Sequence, residues 1–258
     1  MINRGYRIRT QWMERDGKRI YGHWYLPKEA EDGPVPTVLL CHGFGVNRKD
    51  TEPHARAFAK NGIAAYSFDF IGGGHGILSD GEMTEMSVLT EAKDLLAVYE
   101  TACKQPWVDT ENLFLFGNSQ GGFIATYCAA ELGKKVRGLI AQFPAYVLQA
   151  DARARTPNPE QAPEVLYVHG SPIGRIYSID ATSFDIYEKM PAYPNPVLIL
   201  HGTADPVVPY ACSERAVQLF PNAKLIAVPN AGHGFTGKDR AESERIAVAF
   251  VREHLKKD

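Results

Sequence analysis

A serine, a carboxylate and a histidine stand in this chain where they could act together on an acyl carbonyl. Gly117-Asn118-Ser119-Gln120-Gly121 carries the G-x-S-x-G pattern of a nucleophile elbow. In that turn a strand passes sharply into a helix, the serine hydroxyl projects above the sheet, and glycines stand where crowded backbone leaves no room for Cβ atoms. The run LFLFG before the motif reads as a strand, and GGFIATYCAAEL after it reads as a helix. A serine hydroxyl is a weak nucleophile at neutral pH, so it needs a base that is itself oriented by an acid. Both partners are expected downstream. Asp205 ends the run VLILHGTAD, and His233 sits in Asn230-Ala-Gly-His-Gly-Phe235 after the strand-like KLIAVPN. Each lies at the carboxyl end of a strand, the edge where α/β sheets place their chemistry. Taken singly, Asp205 also reads as a helix cap and His233 as a turn residue.

The tetrahedral intermediate of acyl transfer needs two N–H donors for its oxyanion. The amide of Gln120, next after the nucleophile, is one. The other is expected from His42-Gly43-Phe44-Gly45 after the strand-like VLLC, and is assigned to Phe44. His42 reads as support for that loop rather than as a second base. Gly72, Gly73, Gly74 and Gly76 resemble a dinucleotide-binding loop only superficially, because the final glycine and the immediate helix are missing. They read as a loop after a strand.

These residues need a scaffold that brings strand ends together. Compact apolar runs at 36–41, 63–70, 113–117, 136–143, 197–201 and 224–228 suit strands of a parallel sheet buried on both faces, and Lys18–Leu26 alternates like a half-buried strand. Between them, 54–60, 86–103, 121–132, 212–220 and 243–255 carry apolar residues at helical spacing, Leu89, Ala92, Leu96 and Tyr99 among them. The series predicts an α/β fold with a mostly parallel central sheet and helices on both faces. The stretch 145–195, rich in Pro, Arg, Tyr and Ala, shows helical fragments and no clear strand. It reads as a small cap inserted into a single domain spanning 1–258, since a structureless loop of that length is rare.

From about Val38 onward, HGFG, FDFIGGGHG, GNSQGG, HGTADPVVP and AGHGF stand in the order and at the distances of α/β-hydrolase-fold serine hydrolases, which the chain resembles. HGFGVNR, FDF, a helix beginning near EMSVLTEAKDL and the S-Q-G-G elbow make it similar to bacterial cinnamoyl (feruloyl) esterases with a small cap. The elbow carries Asn118 where that family often carries His. The resemblance implies cofactor-free hydrolysis of carboxylic esters of hydroxycinnamic acids through an acyl-enzyme. It also implies that Asp151 and Tyr177 of the cap contact the phenol. Tyr146, Tyr167, His169, Phe184 and Tyr187 are further aromatic or polar candidates there. The same triad would serve an acylglycerol lipase, a peptidase-like hydrolase or an acyl thioesterase. A hydrolase-fold binding protein without catalysis is a reading from another class, and a missing triad member would favour it.

Composition narrows the partners. With 45% hydrophobic residues, 22% charged residues and a formal charge of −2, the chain can build a core and offers no basic footprint for nucleic acid. Met1–Thr10 has charge but no apolar run after it, and no segment approaches the ~18 apolar residues of a membrane span. A cytoplasmic protein acting on a small-molecule ester, without membrane or nucleic-acid partners, is the expectation, with the oligomeric state left open. The four cysteines form no C-x-x-C pair, and the eight histidines show no H-x-H or H-E-x-x-H spacing. No metal site and no cofactor are expected.

Overall fold

Side chains alternate across a β-strand, and here the alternation separates two cores. A computed structural model describes residues 5–256; Met1–Arg4, the start of the charged stretch Met1–Thr10, lie outside them. The strands are β1 (Tyr6–Arg15), β2 (Lys18–Pro27), β3 (Val35–Cys41), β4 (Ala64–Phe68), β5 (Val108–Asn118), β6 (Gly138–Gln142), β7 (Val165–Val168), β8 (Ser171–Gly174), β9 (Val197–Gly202) and β10 (Ala223–Val228). The helices are α1 (Glu52–Lys60), α2 (Val88–Ala102), α3 (Gln120–Leu132), α4 (Leu148–Arg155), α5 (Arg175–Thr182), α6 (Ile186–Lys189), α7 (Tyr210–Val217) and α8 (Gly237–Glu253).

Eight strands make one sheet in the order β1-β2-β4-β3-β5-β6-β9-β10. β1 and β2 pair antiparallel, β2 meets β4 antiparallel, and the remaining neighbours run parallel. Every residue of β4, β6 and β9 is buried, as expected of strands covered on both faces. Leu39, Leu115, Leu139 and Ile199 point into one core beneath α2 and α3. Leu40, Phe116, Ile140 and Leu200 point into the other, with Phe58 of α1 and Phe250 and Val251 of α8. Among the described residues no helix is long and apolar enough to cross a membrane.

Three features differ from the sequence reading. β1 is absent from the apolar runs named above: it is an edge strand with mostly exposed side chains, so charge at Arg7, Arg9 and Glu14 hides the apolar alternation. Its hairpin signal is Asp16-Gly17, whose φ values of +51° and +79° match the two-residue turn that Asp-Gly favours. The segment between β6 and β9 contains α4, α5 and α6 but also the antiparallel hairpin β7–β8, turned at His169-Gly170 with φ of +48° and +81°. Finally, the most buried face of α2 includes Glu91 and Asp94. Apolar spacing cannot reveal it, because each carboxylate is buried against polar partners. Asp94 accepts from Arg15 Nε at 2.5 Å and from the Ile71 amide at 2.9 Å.

The ends of β3, β5, β6 and β9 converge where backbone packs against backbone. A Cβ on Gly121 would lie 2.3 Å from the Cys41 carbonyl oxygen and 2.4 Å from that of His42. Gly121→Ala should therefore destabilise the protein by about 3 kcal/mol, the upper end of ordinary overpacking, in urea denaturation. Gly33→Ala, where an added Cβ meets nothing within 4 Å, serves as the control and should be near neutral. Equal stability of the two variants would contradict the packing described.

Candidate active site

Ser119 joins β5 to α3 with φ +49° and ψ −118°, a conformation that costs a non-glycine residue energy and has to be held by its surroundings. The hold is visible. Its amide donates to Gln142 O at 2.9 Å, and its carbonyl accepts from the amides of Gly122, Phe123 and Ala145. On the other side of the turn, a Cβ at Gly117 would fall 2.2 Å from Gly121 O. Glycine at 117 and 121 is thus a steric requirement of the elbow.

The structure brings Ser119, His233 and Asp205 together in one hydrogen-bonded line. His233 Nε2 lies 3.0 Å from Ser119 Oγ, and His233 Nδ1 lies 2.7 Å from Asp205 Oδ2. A carboxylate can only accept, so Nδ1 carries the proton and Nε2 is left to accept from the serine. The Asp205 side chain is fully buried, and its other oxygen accepts from the amides of Val207 and Val208 at 2.8 and 2.9 Å. Burial alone would raise its pKa. The Val208 amide, the His233 imidazole and the Val207 amide outweigh that effect and hold the carboxyl below its ordinary range. Asp205 is thus both turn cap and imidazole partner.

A second histidine, absent from the candidates the motifs single out, completes the acid's surroundings. His201 is buried four residues before Asp205. Its Nε2 lies 3.2 Å from Asp205 Oδ2 and 3.1 Å from Val208 O, and its Nδ1 is 2.7 Å from Ser213 Oγ. Two acceptors at Nε2 make it the protonated nitrogen, with Nδ1 accepting from the Ser213 hydroxyl. Burial lowers the His201 pKa, and Asp205 only partly offsets this. The spacing His201-x-x-x-Asp205 was the one available signal.

Around the serine, the loop after β3 is oriented by His42. Its Nε2 is 3.1 Å from the Phe70 amide, a donor, so its Nδ1 must be protonated and donates to Gly43 O at 2.8 Å. Burial lowers the pKa of this ring, although its bond to the Gly43 carbonyl opposes the shift. Fixing the Gly43 carbonyl fixes the whole planar trans peptide, so the Phe44 N–H faces the opposite way. Gly43 lies against the nucleophile, since its missing Cβ would be 3.4 Å from Ser119 Cβ. Gln120 opens α3, where a helix leaves its first amides without internal partners. Asn118 donates to Asp50 Oδ2 at 2.9 Å, an oxygen also 3.4 Å from the Gly43 amide, so it ties the elbow to the same loop.

Ser119, Gln120, Phe44 and His233 border a cavity of about 260 Å³. Ala145, Val147, Leu148, Val207 and Val208 give it apolar walls; Asp151, Arg155, His169 and Tyr177 add polar groups. Asp151 stands at an exposed position and Tyr177 at a buried one. The Tyr177 hydroxyl donates to Gln120 Oε1 at 2.6 Å, so toward the cavity it can only accept. Of the other cap candidates His169 lines the cavity, and the rest lie elsewhere. Tyr146 is buried against Thr126, Tyr167 is 71% exposed, Phe184 packs on Tyr127 and Phe123, and the Tyr187 hydroxyl donates to Cys212 O.

Known proteins resemble this chain in sequence or in structure. An uncharacterized protein of Mycobacterium tuberculosis is 29% identical over 222 residues, 85% of this chain and 69% of its own. Esterase FrsA of Escherichia coli O157:H7 is 26% identical over 227 residues, 83% of this chain and 51% of its own length. Among solved structures, Est1E from Butyrivibrio proteoclasticus with bound ferulic acid superposes with a TM-score of 0.87 at 24% identity, covering 96% of this chain and all (100%) of that one. An esterase from Exiguobacterium antarcticum gives 0.72 at 19% identity, covering 95% of this chain and 100% of that one. These superpositions, and the sheet order above, make the fold that of the α/β hydrolases. Residues 54–258 match the prolyl oligopeptidase family, and with that match spanning most of its length the chain belongs to that family.

Proposed function

We propose that the protein is a serine carboxylic-ester hydrolase that works through an acyl-enzyme and takes hydroxycinnamoyl (feruloyl-type) or related aryl esters. The observation that carries this reading is the unbroken line Ser119 Oγ, His233, Asp205, with spacings of 3.0 and 2.7 Å, opening onto a cavity with one aromatic hydroxyl at its buried wall. His233 Nε2 takes the Ser119 proton as Oγ attacks the ester carbonyl, and the carbonyl oxygen gains charge beside the Phe44 and Gln120 amides. The imidazolium then protonates the departing alcohol. Water, deprotonated by the same imidazole, releases the acid and restores Ser119.

The cavity favours an aryl acyl group. Its apolar walls suit a flat ring and its volume of about 260 Å³ suits a small one, whereas a long acyl chain needs a continuous apolar tunnel that Asp151, Arg155 and His169 interrupt. Tyr177 offers a lone pair to the cavity, and Asp151 adds a second acceptor at an exposed position. The chemistry that fits two acceptors is a ring that donates, namely a phenol. That Est1E has been crystallised with ferulic acid supports the same class.

Ser119→Ala should lower turnover of p-nitrophenyl acetate by a factor approaching ~10⁶ with the fold intact by circular dichroism, and Asp205→Asn by about 10⁴ through the wrong imidazole tautomer. Retention of a tenth of wild-type turnover by Ser119→Ala would refute the nucleophile assignment. For substrate choice, methyl ferulate and methyl caffeate should exceed methyl cinnamate in kcat/KM by about tenfold, the worth of one hydrogen bond of roughly 1.4 kcal/mol. Tyr177→Phe should erase most of that preference and Asp151→Ala less of it, because Asp151 is exposed to water. Equal rates on all three esters would retire the phenol specificity and leave a general carboxylesterase.

A further inference from the structure

Glu91 is a buried carboxylate beside the elbow that the proposed reaction does not use. It is buried in the face of α2 packed on α3, at 1% exposure. Its Oε2 accepts from Gln120 Nε2 at 2.8 Å, and Gln120 Oε1 accepts from the Tyr177 hydroxyl at 2.6 Å. All three side chains are buried, so a continuous relay runs from α2 through the residue after the nucleophile to the inner wall of the cavity. The other oxygen, Oε1, has no hydrogen-bond partner. It faces Gly73, where a Cβ would lie 3.1 Å from Oε1 and 3.2 Å from the His42 ring.

Among the described residues, none of the groups acting on the Glu91 carboxyl is a cation. The groups around Glu91 are Asp94 on its own helix, Cys41 at the end of β3, Gln120 on α3, Tyr177 on α5, and the neutral His42 ring beyond Gly73. The nearby guanidinium of Arg15 is engaged by Asp94. An ionised carboxylate with one bare oxygen in such surroundings is expensive, and the group takes up a proton instead. Burial, with the like charge of Asp94, pushes the Glu91 carboxyl well above its ordinary range against the opposing bond from Gln120. The cap is also registered on α2 a second time, where the Ser87 hydroxyl donates to Asp180 of α5.

We propose that Glu91 is held as a neutral carboxylic acid and is a positioning residue: through Gln120 it locks Tyr177, and with it the inner wall of the cavity, against the nucleophile elbow. The role in substrate recognition rests on the aryl-ester reading; the protonation state does not. Gln120 has a polar partner at each end of its amide, so neither it nor Tyr177 can turn without leaving a buried group unpaired.

Two variants test this. Glu91→Gln keeps the shape and a hydrogen bond to Gln120 and can never ionise, whereas Glu91→Leu removes the bond. A carboxyl that is neutral in the fold and ionised in the unfolded chain costs stability as pH rises above its unfolded value. The unfolding constant of wild type relative to Glu91→Gln should therefore rise with pH, approaching tenfold per unit, in urea series between pH 5 and 8. The Arg15–Asp94 pair is common to both proteins and cancels in the ratio. In a Ser119→Ala background, which removes turnover, methyl ferulate should bind Glu91→Gln as it binds Glu91, and Glu91→Leu about tenfold more weakly. If Glu91→Leu does not fold, Gln120→Met breaks the same relay and must show the same weakening. A ratio independent of pH overturns the neutral carboxyl, and unweakened binding in Glu91→Leu or Gln120→Met overturns the positioning role. If Ser119→Ala binds no aryl ester at all, the aryl-ester reading and the positioning role fall together, while the urea series still decides the charge state.

Discussion

The backbone at Ser119 is bent into a conformation that an L-residue avoids, and the rest of the structure can be read as what keeps it there. The φ of +49° survives because the turn is clamped on every side. Strand β6 takes its amide, α3 and Ala145 take its carbonyl, and the first turn of α3 rests on the carbonyls at the end of β3. Such contacts exist only if Gly117 and Gly121 lack side chains and if three parallel strands end at the same level. Loosening any of them would release the strain by flattening the turn, which would move the hydroxyl away from His233. The strain is small beside the cores that Leu39, Leu115, Phe116 and Leu200 fill on the two faces of the sheet.

Electrostatics at the site divide by role: Asp205 is held charged, and three buried groups that orient their neighbours are pushed toward their neutral forms. Asp205 is ionised because two backbone amides and His233 reach it inside the protein. His201, His42 and Glu91 are buried and pushed toward their uncharged forms, and each then serves as a directional hydrogen-bonding group. His201 orients the acid, His42 orients the peptide that presents the Phe44 amide, and Glu91 orients Gln120. A neutral ring or carboxylic acid has one donor side and one acceptor side, so it fixes its neighbour's direction as a full charge in water would not.

How much of this could be read from the sequence depended on whether geometry or partners decide. Gly-x-Ser-x-Gly between a strand run and a helical run was legible, because crowding at a turn is written as glycine. The parallel strands were legible because burial on both faces is written as unbroken apolar runs. β1 was not, since an exposed edge strand has no apolar face to betray it, and β7–β8 was not, since its turn is signalled only by His169-Gly170. The placement of Ser119, Asp205 and His233 on converging strand ends followed from topology. The burial of Glu91 and Asp94 was out of reach, because helical spacing counts apolar residues and a buried carboxylate depends on partners from distant segments. In the cap, composition named the aromatic residues but could not say which faced the cavity; Tyr177 does, while Tyr146 and Phe184 pack away from it.

At the centre of the account is the claim that Ser119 becomes covalently acylated, with the cap choosing the acyl group and the strained elbow presenting the hydroxyl. Intact-protein mass spectrometry after acid quenching of the enzyme with an activated feruloyl ester, followed by peptide mapping, reads that claim directly. The account predicts a single adduct of the acyl mass within milliseconds to seconds, located on the peptide containing Gly117-Asn118-Ser119-Gln120-Gly121. The adduct should be absent from Ser119→Ala and should persist longer in His233→Ala if it forms there at all. Steady hydrolysis of the same ester with no adduct, or an adduct mapping to another residue, would contradict it.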